Sequence, residues 1–354
     1  MSQPLSAPQR LIRLGIIGTG LAVKKLHWPA MIRMADRFVV AAFANRTRAT
    51  AEEFAALAGL PMDNYVSDYH ALLRRDDIEA VLVCVPIPQL LSITQDCLAA
   101  GKHVLCEKPL GRNAREAEHM VLAAARHNRV LKVGFNHRHH PALQQAHNLA
   151  ASGKIGSLMS IRAAYGHGGR PGYDQEWRGN PELAGGGELL DQGVHIVDLC
   201  RWFLGDFTQV TGMLGTWFWQ VAPLEDNGFA LLRTAAGQIA TIHTSWTQWK
   251  NLFRLEIFGR DGYLVIQGLG GSYGMERLTL GIRRPESGPP VEETWDFPGP
   301  DISWAAEWQE FTAAIREGRQ PLGNGHDGHQ AARVIDAIYE SGKTGRVVNL
   351  GGQP

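Results

Sequence analysis

Four places in this sequence carry residue types that can do chemistry together. Gly18-Thr19-Gly20-Leu21-Ala22-Val23 follows the apolar run Arg13–Ile17 and opens a helix. Glycine at 18 permits a tight turn, and glycine at 20 lets the backbone approach a pyrophosphate at the helix N-terminus. The third position of that fingerprint is Val23 rather than a small residue, which predicts looser helix–strand packing. After the second apolar run, where an acid is expected to hold a ribose, stands Asn45-Arg46-Thr47-Arg48. Two guanidiniums and no carboxylate favour a 2′-phosphate, hence NADP(H), with NAD(H) as the alternative. Asn45 also suits the cap of a helix that begins near Thr47.

The other two places supply proton chemistry. Asp191 and His195 lie four residues apart, which on an α-helix puts both side chains on one face. A carboxylate there can fix the imidazole's tautomer and raise its basicity. Lys108 follows the apolar run His103–Cys106, and the C-terminal ends of strands are where α/β sheets bind ligands. Each has a bland alternative: a packed helical histidine, and a lysine that merely ends a strand. His137, His139 and His140 are clustered, but no acidic or cysteine partner stands at metal spacing, so no metal site is expected.

The elements that must position these residues read as two domains, residues 1–135 and 136–354. In the first, apolar runs (Arg13–Ile17, Phe38–Phe43, Ala80–Val85, His103–Cys106, Leu131–Phe135) alternate with helical stretches at Thr47–Leu57, Gln89–Ala100 and Asn113–Asn128. Near-continuous apolar strands between helices imply a parallel sheet covered on both faces, a doubly wound dinucleotide-binding fold. In the second, strand-like runs dominate: Leu158–Tyr165, Gln209–Gln220, Gly228–Thr234, Gln238–Trp246, Phe253–Phe258 and Gly262–Ile266. Helices are expected at Glu188–Leu204, Trp304–Glu317 and His329–Ser341, and the proline-rich Arg284–Asp301 reads as a surface loop. This predicts an α/β domain on a large, open, mixed and mainly antiparallel sheet. The aromatic runs Trp217-Phe218-Trp219 and Trp246–Trp249 read first as core and interface strands, with stacking on a sugar ring as the second reading.

With a length of 354 residues, 44% hydrophobic and 20% charged, the chain has enough apolar residues for two cores. A net charge of zero gives no footprint for nucleic acid or an anionic membrane. The four cysteines lack paired spacing and read as core thiols of a reducing compartment. The first ten residues lack the apolar core of a signal peptide, so a cytoplasmic location is expected.

Cys106-Glu107-Lys108-Pro109-Leu110, followed by Gly185-Gly186-Gly187-Glu188-Leu189-Leu190-Asp191-Gln192-Gly193-Val194-His195-Ile196-Val197-Asp198, resembles the two signatures of the glucose-fructose oxidoreductase/inositol dehydrogenase (Gfo/Idh/MocA) family. Val133–Arg138, Trp177-Arg178 and the helix around Trp308–Phe311 match it as well. The resemblance implies a Rossmann domain followed by a substrate and oligomerisation domain, and a homodimer or homotetramer. It implies hydride transfer between a nicotinamide and a hydroxyl or keto carbon of a sugar, cyclitol or sugar derivative. It also leaves two alternatives, a nucleotide-sugar dehydrogenase or ketoreductase and a glycosidase that cycles a tightly held NAD. The matched roles put Lys108, His195 and Asp191 at the chemistry, with either Lys108 or His195 as the proton-transfer group. Asp198 is a second candidate to orient His195. To the cofactor they assign Gly18, Thr19, Gly20, Leu21, Ala22, Asn45, Arg46, Pro86, Glu107, Lys108, Arg138, Trp177 and Arg178. Val85-Pro86-Ile87-Pro88-Gln89-Leu90 departs from the family pattern at positions 87 and 90.

Overall fold

Apolar runs too short for helices and flanked by turn residues become strands buried on both sides. In the computed structural model, which describes residues 10–351, six of them form one parallel sheet. These are β1 (Ile12–Ile17), β2 (Phe38–Ala44), β3 (Tyr65–Val66), β4 (Ala80–Val83), β5 (His103–Cys106) and β6 (Leu131–Val133). Their order is β3-β2-β1-β4-β5-β6, all pairs parallel. That is the Rossmann arrangement, with its ligand crevice outside the C-terminal ends of β1 and β4, where the strand order reverses.

The chain divides into two compact units. The first runs to Glu107 and also takes in Glu118–Gly134 and Trp304–Gly325; the second holds Lys108–Ala117, Phe135–Ser303 and the residues from His326 onward. The late helix Ser303–Glu317 sends Trp308 and Phe311 into the first unit's core, beside Leu14, Phe38, Phe43 and Phe54. Gly59, in the left-handed conformation, ends the helix Arg48–Ala58.

The second unit is built on a nine-stranded sheet. Its strands are β7 (Leu158–Gly166), β8 (Phe207–Gly215), β9 (Asn227–Thr234), β10 (Ile239–Ser245), β11 (Leu252–Gly259), β12 (Gly262–Gln267), β13 (Glu276–Ile282), β14 (Val291–Phe297) and β15 (Val348–Asn349). The order is β14-β13-β12-β11-β7-β10-β9-β8-β15, antiparallel except for β7 against β10. Burial alternates along β9, so Ala230 and Leu232 face the helices while Phe229 and Leu231 stay exposed on the other face.

Three expectations are corrected. The stretch Arg284–Asp301 contains the edge strand β14, whose prolines lie outside the paired residues. The strand expected over Gln209–Gln220 stops at Gly215; Trp217, Phe218 and Trp219 turn away, with their backbone N–H groups donating to the Asp226 carboxylate at 2.8–3.1 Å. Strand β10 likewise ends at Ser245, before Trp246. Among the described residues, no helix is long and apolar enough to cross a membrane.

Candidate active site

The first unit carries a cleft of about 540 Å³ at the switch point, lined by Gly18, Gly20, Asn45, Arg46, Thr47, Cys84, Val85 and Pro86. Gly18 has φ +88°, and a Cβ there would come within 2.1 Å of the Cys84 carbonyl oxygen. A Cβ at Gly20 would meet nothing within 4 Å among the described residues, so its surroundings leave room for a phosphate against the backbone. The Thr19 N–H donates to Asn45 Oδ1 at 3.1 Å, and Asn45 Nδ2 donates to the Thr47 carbonyl at 2.8 Å. Asn45 therefore ties the glycine turn to the loop after β2. It does not cap the next helix, whose N-cap is Thr47.

Other assignments from sequence shift. Leu21 and Ala22 open the helix outside the cleft lining, and Leu21 is exposed. Val23, where the fingerprint has a small residue, is fully buried in the core at the start of a π-helical turn, Val23–His27. The wider turn accompanies the larger side chain. Ser67, Asp68 and Tyr69 also line the cleft, brought there by the two-residue strand β3, which left no periodic signal in the sequence. Asp68 thus supplies a carboxylate that the tetrad at 45–48 lacks, although it also accepts the His70 N–H at 3.0 Å. Glu107 is absent from the lining: its Oε1 lies 2.8 Å from His27 Nε2, and His27 Nδ1 lies 3.2 Å from Trp308 Nε1. An indole N–H only donates, so Nδ1 accepts and Nε2 donates to Glu107.

The second unit gathers the proton chemistry. Lys108 Nζ donates to Asp191 Oδ1 at 2.9 Å and to the Asp191 carbonyl, while Arg178 Nε donates to Asp191 Oδ2 at 2.7 Å. Burial works to raise the Asp191 carboxyl, but the two cations outweigh it and hold it well below the usual carboxylate range. Arg178 also lies over Trp177, 4.4 Å from its ring centre. His195 is 5% exposed and stacks on His137, ring centres 3.9 Å apart. Burial, then the Lys108 cation and His140, push its pKa well below the ordinary histidine value, so the imidazole is neutral. Its Nδ1 is sealed and has no hydrogen-bond partner among the described residues, so proton exchange with a bound oxygen would fall to Nε2.

Asp191 does not hold His195. Its carboxylate is taken by Lys108 and Arg178, and the helical spacing fails because Leu189–Gly193 is wound as a π-turn before the α-helix Val194–Leu204 begins. One extra residue in that turn rotates Asp191 away from the face that a regular helix would share with His195. Asp198 does not hold it either. It pairs with Arg138 through two bonds of 2.6 and 2.7 Å, and Arg138 also reaches Asp327. Arg138 is 3% exposed and is a buried ion-cluster residue of this unit. Among the described residues, no group of three His, Cys, Asp or Glu side chains converges to hold a metal.

The triple glycine allows close packing. A Cβ at Gly187 would fall 2.0 Å from the Glu225 carbonyl oxygen, and one at Gly186 would fall 2.5 Å from Tyr339 Oη. Through this gap Glu225 accepts the Leu189 N–H at 3.0 Å and the Tyr339 hydroxyl at 2.8 Å, fixing the start of the helix that bears Asp191 and His195. A fixed ammonium beside a neutral imidazole can polarise a hydroxyl or carbonyl oxygen and exchange its proton.

Residues 12–135 match the oxidoreductase family model with an NAD-binding Rossmann fold, and residues 143–265 match the Gfo/Idh/MocA C-terminal domain model. A levoglucosan dehydrogenase of Pseudarthrobacter phenanthrenivorans is 27% identical, over 93% of this chain and 96% of that protein. A D-xylose 1-dehydrogenase (NADP(+)) of Haloferax volcanii is 30% identical, over 95% of this chain and 99% of that protein. The structure of a levoglucosan dehydrogenase in complex with NADH and levoglucosan superposes with a TM-score of 0.85 at 26% identity, covering 96% of this chain and 99% of that one.

Proposed function

Because the chain belongs to the Gfo/Idh/MocA oxidoreductase family, we propose that it is an NAD(P)-dependent dehydrogenase or reductase acting on a hydroxyl or keto carbon of a sugar or cyclitol. The observation that carries this reading is Lys108, its Nζ paired with Asp191 Oδ1 at 2.9 Å and near enough for its charge to act on the neutral His195. The relatives named as levoglucosan and xylose dehydrogenases support the substrate class.

The first unit's residues fit a dinucleotide. Gly18 makes the turn that only glycine fits, Gly20 leaves backbone open for a pyrophosphate, and Arg46 and Pro86 line the same cleft. When bound, the nicotinamide supplies the acceptor or donor of hydride. Arg46, exposed at the cleft and without an ion-pair partner among the described residues, supports NADP(H) as the preferred form through its guanidinium on a 2′-phosphate. Asp68 in the lining is the feature that would favour the unphosphorylated ribose.

In the second unit, the Lys108 ammonium donates to the reacting oxygen and stabilises negative charge there. His195 takes the hydroxyl proton at Nε2 during oxidation and returns it during reduction. Asp191 and Arg178 are positioning residues for Lys108. Family membership and the open face of the nine-stranded sheet, with Met213, Phe229 and Leu231 exposed, support a homodimer or homotetramer. The absence of a membrane-length helix among the described residues is compatible with work in the cytoplasm.

The test is to follow nicotinamide absorbance with purified protein against sugars, cyclitols and keto-sugars, each with NADP(H) and NAD(H). Turnover with a polyol and a preference for NADP(H) is expected. Silence across the panel with both nucleotides contradicts the reading.

A further inference from the structure

Three loops of the second unit meet at one end of its sheet. Gly166 pairs with Ser245 and Leu252, and Asn227 pairs with Ser245 and Gly215. The segments 167–180, 216–226 and 246–251 therefore leave neighbouring strands at the same edge. The first brings Arg178 to Asp191. From there rings follow one another outward: Arg178 lies 5.9 Å from the Tyr173 ring centre, Tyr173 is 5.7 Å from Trp219, Trp219 is 5.1 Å from Phe218, and Phe218 is 4.8 Å from Trp249.

The inner members are covered and the outer ones are not. Tyr173 is buried, whereas Phe218 and Trp249 are 54% and 65% exposed. They are not loose side chains on a mobile tip. The Asp226 carboxylate, fully buried, accepts the backbone N–H groups of Trp217, Phe218 and Trp219, and Trp219 Nε1 donates to the Trp246 carbonyl at 2.9 Å. Gly168 and Gly169 let the rings rest on the first loop: a Cβ at either would come within 3.2 Å of Trp249 or 2.6 Å of Trp219. Fixed aromatic faces with polar neighbours such as Gln220 and Gln248 match the chemistry of a pyranose, which offers C–H faces and a rim of hydroxyls. Trp217 belongs elsewhere; its ring turns to Phe229 on the open sheet face.

We propose that Phe218 and Trp249, set edge to face at 76° with Trp219 behind them, form an angled stacking platform, one ring as floor and the other as wall, for a second ring of the substrate, so that the chain acts on a glycoside or disaccharide in preference to a single free sugar. The rings follow one another from Arg178, which positions Lys108 through Asp191, to the exposed Phe218 and Trp249, so a ring joined to the reacting sugar would meet them on its way out. The inference rests on the sugar reading of the site, and it adds what lies beyond the reacting ring.

The test is direct binding, by calorimetric titration of the full chain with cellobiose and maltose, and with glucose as the single-ring control. The same titrations are made on Trp249→Ala and Phe218→Ala, whose exposed side chains leave the cores intact. At least one disaccharide should bind about ten-fold more tightly than glucose, and the ratio should fall to about one in both variants. Equal binding of glucose and both disaccharides by the unchanged protein overturns the platform. So does a ratio that survives both substitutions, or a Trp249→Ala variant that loses oligomeric mass while no disaccharide preference exists, which assigns the rings to a contact between copies. Nicotinamide turnover with single-ring polyols but no disaccharide preference sinks the platform alone. Failure to bind or turn over any sugar sinks the function it rests on.

Discussion

Asp191→Asn tests the proposal that this carboxylate positions Lys108 for the chemistry. One carboxylate, 9% exposed, holds Lys108 Nζ at 2.9 Å and Arg178 Nε at 2.7 Å. Asparagine has the same shape, but its carbonyl can accept from one cation only and its amide N–H₂ then faces the other. Removing one partner of a buried ion pair costs roughly 3–5 kcal/mol. Lys108 and Arg178 keep 18% and 29% side-chain exposure, so water recovers part of the loss and the lower figure, about 3 kcal/mol, is expected. A displaced ammonium should also cut turnover by about 10²-fold. Urea unfolding and steady-state turnover read the two effects, and a cycle with Lys108→Ala separates them. Once Lys108 is gone, Asp191→Asn should lower turnover little further, because the pair acts as a unit. The sign with pH is fixed by the depressed carboxyl. Its stabilisation is present above the unfolded carboxylate value and is lost as pH falls through the folded one, so the stability gap between the proteins should be flat from about pH 5 upward and narrow below about pH 4. Wild-type turnover in Asp191→Asn, or effects on turnover that multiply in the double variant, would refute the positioning argument.

Three further outcomes follow from single residues. Gly18→Ala forces a Cβ into the Cys84 carbonyl at positive φ and should destabilise the fold by about 1–3 kcal/mol, whereas Gly20→Ala should leave stability unchanged and weaken dinucleotide binding; equal thermal shifts for the two variants contradict the distinction. Arg46→Ala should shift the ratio of NADP(H) to NAD(H) affinity toward NAD(H) by about ten-fold, read by fluorescence titration, and an unmoved ratio removes Arg46 from the 2′-phosphate. Because the His195 pKa is pushed down, its base form persists into acid, so kcat/KM for oxidation should not fall between about pH 7.5 and 6; a half-point near the free imidazole value of about 6.5 is the contrary result.

The parallel sheet was legible because β1, β2, β4 and β5 are apolar runs that leave little else for their residues to be. The glycine turn was legible for a similar reason, since Gly18 stands where no side chain fits. Long-range pairing was not. Arg178 and Asp191 are joined across a loop, and Arg138 meets Asp198 and Asp327 from distant parts of the chain. Helical spacing misassigned Asp191 because a π-turn keeps the sequence pattern of an α-helix while changing which side chains meet. The edge strand β14 was hidden by flanking prolines and by the exposed polar residues that suit an edge, and the Ser67–Tyr69 contribution to the cleft by a strand of two residues.

The most direct test of the central claim is turnover of Lys108→Ala alongside its dinucleotide affinity, on whichever polyol the unchanged protein oxidises. Turnover should fall by about 10²–10⁴-fold while the dinucleotide dissociation constant stays near that of the unchanged protein. Turnover that survives the substitution would contradict the assignment of Lys108 to the reacting oxygen, and with it the account of the site.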